Sequence, residues 1–425
     1  MTSLAAETTG LQEAWSPSRG RTQPDARTGP KSAICEEATQ VCAEQYGKSL
    51  RAIVLTGSLA REEATFVEEA NGWSLLGDVD LLLIFSAHTA LPSRAATILL
   101  CRRIEERLRP RGVQAQITVH ACNPNYLCKL RPHIFAYELR RCGQVVWGEP
   151  HVLSLIPDFS PADIPLEDAW RLLCNRMIEL LEVAVELKGR PEALPRAVYY
   201  RTAKLFLDEA TSFLLFAGAY QPSYRERAQS LRRLAENQAE AQERPFDLPR
   251  FAQRVIGCTR SKLTGAEEQG ASWAFWDEAV GYAQLLWRWE LHRLTGGGAP
   301  VGDRELMKRW MRLQPPYQRA RGWLHVLRSL GWDRSRRQRK RWGKRAWQAS
   351  PRLCVYAAAS ELFFRLPTLL SPASPTPWAE ANWQELHSWL PAVKDPIEVE
   401  ESLSWRRLVA DIVWNYREFL EGTRA

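Results

Sequence analysis

The sequence lacks any apolar run of 18 residues, so a typical membrane-spanning helix is not expected. It has no C-x-x-C pair and no Cys/His cluster with zinc-finger spacing, which excludes the common zinc folds. Its nine cysteines are scattered and odd in number, as is typical of reduced thiols. The N-terminus has no basic segment followed by an apolar core, so no secretory signal is expected. These absences predict a cytoplasmic protein without a transmembrane segment.

Acidic residues are missing from the one segment that carries almost all of the net charge. The chain has a formal charge of +8, and residues 334–345 contain eight Arg or Lys, so the remainder sums to 8 − 8 = 0. Arginine interleaved with tryptophan suits RNA, whose bases stack while its phosphates pair with cations. The charge also suits an anionic membrane surface. We therefore expect an anionic partner at 334–345, either RNA or a membrane; a solvated loop between helices is the alternative.

Composition and periodicity divide the chain into regions. Residues 1–32 are rich in Ser, Thr, Pro and Gly and predict a disordered leader. Short strands alternate with helices over 33–150. Helical spacing alone fills 163–295 and, beyond a Gly-rich linker, 301–425. The expected fold class is α+β, with a small mixed-sheet domain followed by an all-α helical region.

The chemistry is concentrated in the α/β region. A predicted strand ends at Gly57-Ser58, and a helix is expected over residues 59–69. The next predicted strand carries Asp78 and Asp80 on one face, because side chains alternate along a strand. Two carboxylates in a mostly apolar strand need a counter-charge, and oxygen ligands favour magnesium. A glycine followed by a serine, between a strand and a helix, suits phosphate. Together these features point to phosphoryl or nucleotidyl transfer.

Residues 55–62 (LTGSLARE) and 77–82 (GDVDLL) resemble the signature of the DNA polymerase beta-like nucleotidyltransferase superfamily. The resemblance covers about residues 50–150. It implies a nucleoside triphosphate whose phosphates are bridged to the aspartates by two magnesium ions. An acceptor then attacks the alpha phosphorus and pyrophosphate leaves. The acceptor is left open between a small molecule such as an aminoglycoside-like sugar, a protein side chain and an RNA end.

The resemblance assigns roles residue by residue. Gly57 and Ser58 would bind the nucleotide phosphates, and Asp78 and Asp80 would be the catalytic metal ligands. Arg61 stands where relatives often carry a basic residue and would touch phosphate.

Two features depart from the family pattern. The spacer between Ser58 and Asp78 is 19 residues long, and an insertion around 66–73 would explain it. Relatives also carry a third carboxylate on the next strand, predicted here over 113–121. That strand offers no Asp or Glu, and its polar face consists of Gln114, Gln116, Thr118 and His120.

Gln116 is the expected position of the missing acid, and a neutral amide binds magnesium weakly and cannot act as a base. The alternative function is therefore a catalytically degraded nucleotidyltransferase fold that binds nucleotide or nucleic acid. An acid from elsewhere, Glu138 for example, would restore the catalytic interpretation, and His120 is a candidate base.

The helical region contributes one further candidate. Arg201, Lys204, Asp208 and Thr211 share one face of a predicted helix. This face could line the cleft opposite the aspartates, with Lys204 and Arg201 on the triphosphate of the nucleotide, because the resemblance implies that a helical domain behind this type of catalytic domain often supplies such a basic residue. The alternative is a solvent-facing stripe in which Lys204 pairs with Asp208.

Overall fold

A computed structural model describes residues 29–187, 189–237, 244–265, 272–299, 301–371, 380–393 and 404–420. Between residues 332 and 344 the only side chains that it describes are those of Ser335 and Trp342. Residues 1–28 of the expected leader lie outside the described residues. The expected end of the leader at residue 32 is too late, because a helix begins at Pro30. Proline fits the first turn of a helix.

The chain folds into two compact units. Unit 1 comprises the described residues up to Leu59, together with Phe66–Pro124 and Gln144–Val152. Unit 2 comprises Ala60–Thr65, Asn125–Gly143 and the described residues from Leu153 onward. The expected domains at 163–295 and 301–425 thus belong to one unit, which also takes two segments from the expected 33–150 domain.

The first half of the chain alternates helices and strands. In chain order the elements are α1 (Pro30–Tyr46), β1 (Leu50–Thr56), α2 (Gly57–Ala60), β2 (Thr65–Glu69), β3 (Gly72–Phe85), α3 (Arg94–Leu108), β4 (Val113–Cys122), α4 (Pro124–Cys128), α5 (Ile134–Cys142) and β5 (Gln144–Gly148). The five strands form one sheet with the order β2-β3-β1-β5, and β4 pairs with β3. Strand β1 runs antiparallel to β3 and β5, whereas β4 runs parallel to β3. The sheet is therefore mixed, as expected.

The helix expected over residues 59–69 is wrong. Helix α2 is a single turn, and β2 forms a hairpin with the start of β3. The reason lies in a Thr-Phe-Val sequence that favours a strand, followed by the turn signal Asn71-Gly72. Gly72 has φ +135°, and a Cβ there would lie 2.0 Å from the carbonyl oxygen of Gly112. The long spacer between Ser58 and Asp78 is thus largely a β-hairpin.

Unit 2 is built from helices. Those from residue 166 onward are α6 (Leu166–Glu186), α7 (Arg196–Phe216), α8 (Tyr224–Glu236), α9 (Leu248–Thr264), α10 (Trp273–Leu294), α11 (Asp303–Leu313), α12 (Pro316–Gln348), α13 (Pro351–Phe363), α14 (Leu366–Leu369), α15 (Glu380–Trp389) and α16 (Trp405–Phe419). Fully buried Trp170, Trp276 and Trp287 lie in its apolar core. The α+β fold class is confirmed. None of the helices in the described part of the chain is long and apolar enough to cross a membrane.

Helix α12 folds back on itself at Gly331, which has φ +71°. Arg319 donates a hydrogen bond to the carbonyl oxygen of Trp347, 28 residues away. In a straight helix those residues would be about 40 Å apart. The ring centroids of Trp323 and Trp342 are 5.4 Å apart. Residues 316–348 therefore form a hairpin of two helical arms.

Two carboxyl groups are buried in unit 2 and have no cationic partner among the residues that the structure describes. Glu209 and Glu290 are both fully buried, and neither oxygen of Glu209 has a hydrogen-bond partner among the described residues. Glu290 accepts a hydrogen bond from Ser212, and its other oxygen has none. Burial raises the pKa of Glu290 to about 8. Burial, with the nearby Asp208 and Glu290, raises the pKa of Glu209 as well.

We expect Glu290→Gln to flatten the dependence of stability on pH. Above pH 4.5 the unfolded chain loses this proton, while the folded chain keeps it up to about pH 8, so stability falls as pH rises through that window. The free energy of unfolding of the wild type should drop by roughly 2 kcal/mol from this group between pH 6 and 8. Urea unfolding at both pH values measures the difference. Exposed Glu186→Gln is the control, and an unchanged slope in Glu290→Gln would refute the expectation.

Candidate nucleotide and metal site

The two aspartates lie on β3 next to a break in its regular pairing. Ser74 pairs with Gln114 and Asp78 with Gln116, so β3 uses two more residues than β4 over this stretch. Gly77 has φ +118°, a conformation that other residues rarely adopt. Beyond this bulge the strand is regular, with Val79 fully buried and Asp78 exposed. Asp78 and Asp80 therefore share one face, as the sequence predicts.

The Gly57-Ser58 turn lies against Asp80. Thr56, the last residue of β1, pairs with Asp80 across the sheet. Gly57 has φ +69°, and a Cβ there would lie 2.8 Å from Oδ2 of Asp80. The carboxylate thus occupies the space that a side chain at 57 would fill. Unit 1 brings together three of the predicted site residues, Gly57, Ser58 and Asp80, with Asp78 two residues along the strand.

The neighbouring strand β4 supplies neutral groups. Gln116 pairs with Asp78 and Thr118 with Asp80, while His120 pairs with Leu82, further along β3. Paired residues on adjacent strands are about 5 Å apart. Gln116 thus lies on the strand beside Asp78, and its assignment as the position of the missing acid stays a prediction.

These residues fit one magnesium ion better than two. Two carboxylates with a nearby amide and hydroxyl form an oxygen donor set, and Mg²⁺ is commonly held by one or two carboxylates together with substrate phosphates and water. Among the described residues, no group of three or more His, Cys, Asp or Glu side chains is arranged to hold a metal. A second ion would therefore lack a third carboxylate.

Glu138, the acid considered as a replacement, belongs to a buried ionic network in unit 2. Its Oε2 accepts from Nη1 of Arg61 at 2.7 Å, and its Oε1 accepts from the Tyr220 hydroxyl at 2.7 Å and from Arg227. Burial alone would raise the pKa of Glu138, but Arg61 and Arg227 outweigh burial and lower it. Glu138 is therefore an ionised partner of two arginines.

Arg61 is held by the same network. Its side chain is 7 % exposed, and its Nε donates to Oε2 of Glu63 at 3.0 Å. Glu63 also accepts from the backbone N–H of Tyr224 at 2.7 Å. Two nitrogens of the Arg61 guanidinium, Nε and Nη1, thus donate to carboxylates. This placement gives Arg61 a structural role, and we leave it out of the proposed nucleotide site.

Lys204 lies in a second cluster of unit 2, together with Lys262. Nζ of Lys262 donates to the Thr65 hydroxyl at 2.9 Å and to the Tyr200 hydroxyl at 3.0 Å. Both lysines face the Tyr200 ring, at 5.9 Å for Lys204 and 5.3 Å for Lys262. Asp208, the partner considered for Lys204, instead forms a salt bridge with Arg176.

Neither lysine forms a salt bridge with a carboxylate of the described residues. The pKa of Lys204 is lowered by nearby Arg176 and by burial. Burial, with nearby Lys204, lowers the pKa of Lys262 to about 7. Glu179 and Asp208 act in the opposite direction on Lys204, and Glu63 does so on Lys262, but none of these effects outweighs the lowering of the two pKa values. The lysine pair is therefore a candidate anion site.

Sequence reasoning missed Lys262, because no individual helix over the α9 residues was predicted within the helical region 163–295. The signal was present. Phe251, Val255, Cys258 and Lys262 recur at helical spacing, and Asp247 caps the helix by accepting from the N–H of Arg250. A lysine on the apolar stripe of an amphipathic helix is expected to be buried, and a buried ammonium group needs polar or charged partners.

The basic run at 334–345 lies within the second arm of α12, so the loop alternative is wrong. Its described side chains pack inward. Ser335 and Trp342 are buried, and the Trp342 indole N–H donates to the carbonyl oxygen of Pro391. Arg345 donates to the Ser388 hydroxyl at 2.6 Å and lies over the Trp389 ring. The other basic side chains of the run lie outside the described residues, and the anionic partner stays a prediction.

Comparisons of the sequence with family models and with curated proteins found no match.

Proposed function

We propose that this protein is a metal-dependent nucleotidyltransferase that moves a nucleoside monophosphate from a nucleoside triphosphate to an acceptor. The observation that carries the proposal is the contact between Gly57 and the Asp80 carboxylate, on the face of β3 that also presents Asp78. A phosphate at the Gly-Ser turn and a cation at the aspartates would thus be neighbours. The class of acceptor stays open. We also propose that the protein is located in the cytoplasm.

The residues of unit 1 have distinct roles in this proposal. Gly57 leaves room for close approach of phosphate to the backbone, and the Ser58 hydroxyl donates a hydrogen bond to a phosphate oxygen. Asp78 and Asp80 hold magnesium, which when bound supplies charge neutralisation at the phosphates. An acceptor hydroxyl or amine attacks the alpha phosphorus, the bond to the bridging oxygen breaks, and pyrophosphate leaves. His120 is the candidate for taking the acceptor proton.

A second candidate function rests on Gln116. This neutral residue pairs with Asp78, and no third carboxylate joins the two aspartates among the described residues. The alternative is a degraded nucleotidyltransferase fold that binds nucleotide or nucleic acid without transferring it.

Calorimetric titration with each of the four nucleoside triphosphates tests the shared part of both candidates. We expect one of them to bind in the presence of Mg²⁺ and to bind at least ten-fold more weakly in EDTA, because the aspartates repel an unneutralised triphosphate. Absence of binding for all four, with and without Mg²⁺, would contradict both candidates.

The lysine pair of unit 2, taken by itself, predicts that anion binding there depends on pH. Lys262 loses its charge near pH 7, so the charged fraction falls about ten-fold between pH 6 and 8. If the pair binds an anion, the affinity for inorganic triphosphate should fall with it over that interval. Lys262→Met is the matched control. Its affinity for triphosphate should change with pH only as far as triphosphate itself titrates. Equal pH dependence in both proteins would show that the lysine pair does not bind the anion.

A further inference from the structure

The hairpin formed by α12 concentrates the positive charge of the protein. Its 33 residues contain eleven Arg or Lys and one Asp, a net charge of 11 − 1 = +10. The rest of the chain therefore sums to 8 − 10 = −2. Charge of one sign at this density attracts a polyanion.

The first arm of the hairpin exposes a mixed aromatic and basic face. Tyr317, Arg321, Leu324 and Arg328 follow one another at spacings of four, three and four residues, which places them on one side of the helix. All four are exposed, Tyr317 by 66 % and Leu324 by 46 %.

Trp347, at the end of the second arm, is 85 % exposed. The hydrogen bond from Arg319 to its backbone brings it beside the start of the first arm, where Tyr317 lies. Large aromatic side chains exposed to this extent next to arginines are typical of binding surfaces.

We propose that this face of the hairpin binds single-stranded nucleic acid, with Tyr317 and Trp347 stacking on bases and Arg321 and Arg328 pairing with phosphates. Along the first arm Tyr317 and Leu324 alternate with Arg321 and Arg328, and this combination of apolar and cationic side chains suits stacked bases beside phosphates. The proposal is independent of the nucleotide site, because it rests on residues of unit 2 alone.

A membrane surface fits the same face less well. A helix that lies in a bilayer interface separates a continuous apolar face from a charged one. Here the apolar side of the hairpin is already packed, since Trp323, Val326 and Trp342 are all buried. Among the described side chains of the hairpin, Tyr317, Leu324 and Trp347 are exposed but do not form a continuous apolar face.

Fluorescence anisotropy with a labelled 20-nucleotide RNA of mixed sequence tests the proposal, with DNA of the same sequence and the matching duplex as competitors. Arg321→Gln/Arg328→Gln should weaken binding of the strand about ten-fold. It should also reduce the slope of log affinity against log salt by about 1.4, since each phosphate contact contributes about 0.7. Tyr317→Ala/Trp347→Ala should weaken binding by a similar factor without changing the slope, because stacking releases no counterions.

The matched control is Arg102→Gln/Arg260→Gln, which removes the same charge from two exposed positions elsewhere. If both arginine pairs lower the affinity and slope equally, the binding is nonspecific attraction and the proposal fails. It also fails if the duplex binds as well as the strand. Binding to vesicles with 30 % phosphatidylserine but not to RNA or DNA would overturn it in favour of a membrane surface.

Discussion

Asp80→Asn should lower Mg²⁺-dependent nucleotide turnover by about 10³-fold, because the ion would lose a charged ligand beside the turn that we propose to bind phosphate. The change is nearly isosteric, so the close approach of residue 80 to Gly57 should be kept. The Michaelis constant for the triphosphate should change less than kcat, since the Gly-Ser turn remains intact. Pyrophosphate release measures the rate.

The control is Glu69→Gln, which removes an exposed carboxylate from β2 in the same sheet. Its turnover should match that of the wild type. Equal turnover in Asp80→Asn would exclude the aspartate pair as the catalytic metal site, whatever the nucleotide affinity of the protein.

Gln116→Glu separates the two candidate functions. Because Gln116 pairs with Asp78, the substitution adds a third carboxylate of the same length where the second metal would need it. In a degraded site, turnover should appear or rise with the change, and in an active site the Mg²⁺ concentration for half-maximal rate should fall. No change in rate or in Mg²⁺ dependence would show that position 116 does not contact the metal site.

Arg61→Met should lower the free energy of unfolding by about 3–5 kcal/mol, the cost of leaving a buried charge without its partner. Glu63 is 0 % exposed and has no other arginine salt bridge in the described structure. Urea unfolding at pH 7 measures the loss. Exposed Arg260→Gln, which removes the same charge from a surface position, should stay within about 0.5 kcal/mol of the wild type.

A double-mutant cycle distinguishes this role from phosphate binding. If Arg61 stabilises the fold through Glu63, Arg61→Met/Glu63→Gln should be more stable than the sum of the single changes by about 1–3 kcal/mol. An arginine that only binds phosphate would leave stability unchanged and weaken nucleotide affinity. That second pattern would return Arg61 to the nucleotide site.

The sequence was sufficient to predict the strands that carry the site, because the alternation around Asp78 and Asp80 is local. The sequence was not sufficient to predict the structure of residues 59–69. The glutamates there favour a helix, whereas the observed strand β2 depends on its pairing with β3. The pairing of Asp78 with Gln116 also depends on the bulge before Asp78, and no local sequence pattern predicts that bulge.

Arg61 shows a different limit. Its position after the Gly-Ser turn indicates phosphate binding, but Glu63 and Glu138 hold it, and Glu138 is 77 residues away in the sequence. Lys262 likewise acquires its environment from Thr65, 197 residues away. A motif identifies residue types, whereas the charge balance around each depends on contacts between distant segments.

The most direct test of nucleotide transfer is incubation of the protein with Mg²⁺ and nucleoside triphosphates labelled at the alpha phosphate, in a cell extract. The account predicts that label passes from one of the triphosphates to an acceptor with the wild type and not with Asp78→Asn/Asp80→Asn. Mass spectrometry of the labelled species would identify the acceptor. If the wild type binds the triphosphate but transfers no more label than the double variant, the protein is a binding module and the enzymatic account is wrong.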